Sequence, residues 1–203
     1  MASITACWKK PLDLCLALIV GFWLLAGGSA QAAEIEISSA QLTAVEDGYA
    51  ISADFSFELS ARLEEAVAKG VVLPFLVELE ISRPRWYWFD EKLQYRQMNI
   101  RLSYHALTRQ YRVSTGGLHQ SFSSLSEALR VLSRLRNWLV IDRNLAEKLG
   151  LKAGEPYQAT LRMKLDISQL PKPFQIVAVG SRDWILSSEW KTWSLTLPAW
   201  ESR

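Results

Sequence analysis

The sequence predicts a mainly β fold: an antiparallel β-sandwich, immunoglobulin-like in general architecture, with one amphipathic helix and one or two short helices. Three observations predict it. Stretches in which apolar and polar residues alternate recur at 49–59, 74–81, 94–104 and 157–167, the pattern of half-buried strands. Turn residues such as Asp47-Gly48 and Gly116-Gly117 punctuate them. No strand-helix-strand rhythm of a parallel sheet is visible, and only one helical pattern is sizeable. Together these give seven or eight strands.

The amino end reads as an export signal. Lys9 and Lys10 are followed by the uncharged run Leu14 to Ala26, and Ala30-Gln31-Ala32 offers small residues for cleavage before Ala33. Thirteen uncharged residues are short against the ~20 that span a bilayer. The expected division is therefore a signal peptide over 1–32 and one β-rich domain over 33–203, with an uncleaved anchor as the alternative. Export implies the periplasm, and the anchor implies the inner membrane facing the periplasm. Cys15 follows Leu12-Asp13-Leu14 but precedes the apolar run, so it is no lipidation site. Cys7 and Cys15 both lie in the signal, so the remainder has neither disulfide nor thiolate metal site. Removing Lys9, Lys10 and Asp13 leaves 21 basic and 20 acidic residues, a balance that gives no case for nucleic acid as a partner.

The elements follow in order. Glu34 to Leu59 carries two strands about Asp47-Gly48, the second alternating from Tyr49 to Leu59. Ser60 starts a short helix over Ala61 to Lys69 that Gly70 stops. Pro74 opens a strand with Phe75, Val77, Leu79 and Ile81 on one face and Glu78 and Glu80 on the other. Gln94 to Tyr104 and Tyr111 to Val113 pair across a turn at 108–110. Ser124 to Trp138 reads as the main helix, with Ser124 and Glu127 as a capping box and Arg130 and Arg134 on an outer face. Leu139 to Ile141 is a short strand, and Asn144 caps a brief helix ending at Gly150. Tyr157 to Ile167 alternates for eleven residues. Phe174 to Val179 fits helix or strand, and Trp190 to Leu197 closes the fold.

One stretch stands apart. Arg83-Pro84-Arg85-Trp86-Tyr87-Trp88-Phe89-Asp90 holds four consecutive aromatics behind two arginines. As a strand it would place Trp86 and Trp88 on one face and Tyr87 and Phe89 on the other. Arg83 and Arg85 would share the second face and stack on its rings. It is either a strand folded under a loop or a recognition surface, since aromatics and Arg dominate binding hot spots.

Arg83 to Trp88, the segment 101–113, Leu135-Arg136-Asn137-Trp138, Leu170-Pro171-Lys172-Pro173-Phe174 and Arg182-Asp183-Trp184 together resemble a proteobacterial family, domain of unknown function 4390. The likeness runs in order along nearly the whole chain after the signal. It implies an exported protein, often encoded beside a two-component sensor kinase, and it brings no catalytic residues.

Sites for chemistry are scarce. His105 and His119 lie in different elements without a carboxylate at ligand spacing. His105 falls on a polar strand face, where a pH-sensing role is the sharper alternative to a hydrogen-bonded surface histidine. Ser188-Glu189-Trp190-Lys191 matches Ser-x-x-Lys without the companion motifs of penicillin-binding enzymes. Glu78 and Glu80 share a strand face, where carboxylates are ordinarily solvated. The expectation is a non-enzymatic binding or accessory module with no cofactor and no metal, gripping a protein partner in the periplasm or inner membrane, such as a sensor kinase. Arg83, Arg85, Trp86 and Trp88 would anchor the partner, while Asp90 and Arg109 would fix its orientation. One alternative is a membrane-tethered envelope structural or quality-control factor, touching the membrane through its amino-terminal apolar segment and facing lipid with the basic helix. The other is an enzyme on cell-envelope substrates.

Overall fold

The structure, a computed structural model, describes residues 34–87 and 89–198. The expected signal over 1–32 lies outside them, as does Trp88. Nine strands are present among the described residues: β1 Glu36–Val45, β2 Gly48–Ser56, β3 Leu73–Arg83, β4 Glu91–His105, β5 Gln110–Thr115, β6 Leu118–Phe122, β7 Arg134–Asp142, β8 Pro156–Leu165 and β9 Lys191–Thr196. Four short helices join them: α1 Ala61–Ala68, α2 Leu125–Leu132, α3 Arg143–Lys148 and α4 Lys172–Ala178. The strands form two antiparallel sheets, not closed into a barrel, as the alternation predicts. One sheet runs β1-β2-β7 and the other β6-β5-β4-β3-β8-β9.

A single hydrophobic core holds the sheets together. From the large sheet it takes Phe75, Val77 and Leu79 of β3 with Tyr157, Leu161 and Met163 of β8. From the small sheet it takes Ile37, Ile51, Phe55 and Ile141. Leu63 and Val67 of α1, with Ala128 and Leu132 of α2, belong to the same cluster. In β8 the burial alternates residue by residue. β3 is central and nearly all of it is buried, on both faces. Its register pairs Glu78 with Gln97 of β4 and with Arg162 of β8.

Several local expectations change. The helix foreseen over Ser124 to Trp138 stops at Leu132, and residues 134–142 become β7. No glycine or proline marks the break. The free edge of β2 decides it: β7 pairs there from Asp54↔Arg134 to Gly48↔Asp142, and Arg136 pairs with the Asp54 carboxylate. Tertiary pairing thus overrides helix propensity. Arg130 and Arg134 consequently share no helical face. The expected end at Gly116-Gly117 is a tight turn into β6, another strand. The ambiguous 174–179 segment is helical up to Ala178. Helix α3 is capped by the Asp142 carboxylate, which accepts from the Leu145 N–H at 2.8 Å, rather than by Asn144.

The strand register gives the large sheet two distinct ends. At one lie the β3–β4 loop, α3 and the start of β8. At the other lie the start of β3, the tip of the β4–β5 hairpin, α4 and the beginning of the described chain. There Glu34 bridges Ser187, which also bridges Lys164 of β8.

Candidate functional site

The aromatic stretch is a hairpin loop, not a strand. β3 and β4 pair as far as Arg83↔Glu91, so residues 84–90 must reverse the chain. Pro84 has no N–H for the ladder, and Asp90 suits a turn. The reversal leaves Trp86, Tyr87 and Phe89 outside the core. Trp86 is 94% exposed and Phe89 85%, with Tyr87 also exposed. The Trp86 and Tyr87 rings meet edge to face at 5.3 Å.

The arginines brace the base of the loop. Arg85 pairs with Glu91 at 2.7 Å, and its backbone N–H donates to the Asp90 carboxylate at 3.4 Å. Arg83 reaches Glu91 at 3.4 Å and Glu155 at 3.9 Å, and donates to the Gly150 carbonyl at 3.3 Å. Its guanidinium lies 5.6 Å from the centroid of the Tyr157 ring. The loop therefore springs from an ion-paired collar that ties β3, β4 and the start of β8 together.

Arg83, Arg85, Trp86 and Asp90 are thus brought together, and Trp88 lies outside the described residues. Arg109 is not with them. It sits in the turn after β4 with φ of 52°, and β4 is fifteen residues long, a run on the order of 45 Å. The 101–113 hairpin is at the other end of the sheet from the aromatic loop, because β4 is one continuous strand.

Two further features lay beyond sequence reading. Glu78 is only 5% exposed and gathers a polar cluster on the outer face of the large sheet. The Tyr95 hydroxyl donates to it at 2.6 Å, Arg162 at 3.0 and 2.6 Å, and Lys164 pairs with it at 3.1 Å. The Arg162 guanidinium lies 4.2 Å from the centroid of the Trp190 ring. Burial opposes ionisation of Glu78, but these donors outweigh it and hold its pKa at about 2. The second feature is α4, whose outward side chains are aliphatic and exposed. The apolar run 174–179 fits helix or strand in sequence, and only the packing reveals that Ile176, Val177 and Val179 face solvent.

The remaining candidates have structural partners. The buried Ser188 hydroxyl accepts from the Met163 N–H at 3.0 Å, while Lys191 Nζ donates to the Ile37 carbonyl at 2.6 Å. Each half of the Ser-x-x-Lys pair thus holds a different strand. His105 Nδ1 meets the Thr108 hydroxyl at 3.3 Å within its own hairpin. Among the described residues no three of His, Asp and Glu cluster as metal ligands would, and no helix is long and apolar enough to cross a membrane.

A family model described as "Domain of unknown function (DUF4390)" matches residues 32–194. No curated protein and no solved structure matches the chain.

Proposed function

We propose that this chain, which belongs to the domain of unknown function family DUF4390, is a non-catalytic binding module of the periplasm that grips a protein partner with its aromatic hairpin loop. The observation that carries this reading is the exposure of Trp86 and Phe89 on a braced loop. A large aromatic side chain withdraws roughly 150–250 Å² from water when buried. At about 25 cal/mol per Å², leaving two such rings in solvent forgoes several kcal/mol. A folding chain has no use for that arrangement, whereas a hot spot needs it. The ion-paired collar holds the loop ready, which lowers the ordering cost of binding. An inner-membrane sensor kinase fits as partner because its extracytoplasmic part is a protein surface in the same compartment.

The test places a photo-cross-linking amino acid at Phe89 in living cells, with Trp86→Ala beside the parent. One protein should be captured reproducibly, and Trp86→Ala should weaken its binding by tenfold or more, about 1.4 kcal/mol. The melting temperature should hold, because a side chain this exposed changes stability by about 0.5 kcal/mol or less. Capture indifferent to Trp86→Ala, or cross-links to lipid alone, would sink the proposal.

A further inference from the structure

We infer that the exposed aliphatic face around α4 is a membrane-resting surface, occupied by a bilayer with anionic headgroups. In α4, Phe174 and Ala178 face inward, and the Phe174 ring lies 5.9 Å from that of Trp184. Ile176 and Val177 face out, Ile176 being 78% exposed, and Val179 just beyond the helix is 74% exposed. Ile185, after the following turn, is exposed as well. A helix at a protein surface ordinarily presents polar residues outward. Scattered apolar side chains need no explanation, but four within ten residues do.

Three observations choose the occupant. The first is charge. Lys172 and Arg182 flank the patch and are exposed, and Asp183 is the one acid between 172 and 185. Basic residues beside an aliphatic face suit the anionic interface of a bilayer. The second is position. Ile185 is two residues from Ser187, whose bridge to Glu34 fixes where the described chain begins. The uncharged run Leu14 to Ala26 precedes Glu34, with only Gly27 to Ala33 between. Where that run is retained as an anchor, the alternative to cleavage, the described chain starts from the membrane side at this end of the sheet. The third is size. A seven-residue helix is only about 10 Å long. That is far too small for the ~800 Å² per partner of a stable protein interface, yet ample for side chains that dip into headgroups.

The full chain is reconstituted in vesicles of phosphatidylethanolamine and phosphatidylglycerol, in a Cys7→Ser, Cys15→Ser background. A polarity-sensitive fluorophore is attached through Ile176→Cys, or through Ile185→Cys should the first disturb folding. Trp86→Cys provides the reference at the far end of the sheet. The expected result is quenching by a lipid-borne quencher at 176 or 185 and by a water-soluble one at 86. In the 185-labelled chain, Val179→Asp should reduce lipid quenching several-fold without altering the melting temperature. A label at 176 open to the aqueous quencher overturns the inference. So does one shielded from both quenchers, which would mean that protein covers the patch. Lipid quenching at 86 but not at 176 would reverse the orientation and overturn it too.

Discussion

Glu78 shows how one side chain can set acid stability. Its carboxyl is held at a pKa of about 2 against a usual 4.5. A carboxyl with a lowered folded-state pKa stabilises the fold fully above its unfolded value, and that contribution fades as pH falls toward the folded one. Here it is on the order of 3 kcal/mol, complete above roughly pH 4.5 and lost progressively toward pH 2. Melting followed against pH should show a steep acid limb in that window. Glu78→Gln leaves Arg162 and Lys164 without their counter-charge. It should cost about 2–3 kcal/mol at neutral pH and flatten the limb. A Gln variant with parental stability and an unchanged limb would refute this account. The alternation of β3 places Glu78 on the outer face correctly. What it cannot convey is that Tyr95 and Arg162, from strands on either side, fold over that face and bury it.

Hairpin geometry was legible only in outline. Asp47-Gly48 does mark the β1–β2 turn, but Val45 pairs with Gly48, so the loop is Glu46-Asp47 and the glycine already belongs to β2. Gly48 is required for a different reason. Its φ is 148°, and a Cβ there would fall 2.0 Å from the Ile141 carbonyl oxygen of β7. Gly48→Ala should therefore cost about 2–4 kcal/mol by forcing β7 away from β2. Denaturant unfolding would measure it, and a loss under about 0.5 kcal/mol would show that the strand gives way freely. The β2–β7 contact is also what the local pattern at 124–138 conceals. Nothing inside that window reports on a strand edge eighty residues earlier. The aromatic stretch misled in the same manner. Its strand-like composition is real, yet two consecutive antiparallel strands demand a reversal between them, and Pro84 and Asp90 bracket it.

At the scale of the whole molecule, the exposed aromatic loop and the exposed aliphatic face of α4 lie, among the described residues, at opposite ends of the large sheet. The rest of the fold follows from where β3 lies. Its partner β4 comes immediately after it in the chain, but β8 pairs at Phe75↔Leu165, some ninety residues on. Closing so long a loop is slow. During refolding, pulsed hydrogen exchange should find the β4 and β5 amides protected before those of β8. Simultaneous protection would count against this order. A chain made from its amino end leaves one side of its central strand bare until most of its length has been synthesised. For that interval its unpaired backbone edge is open to strands of other chains, and it stays dependent on whatever shields that edge until β8 arrives.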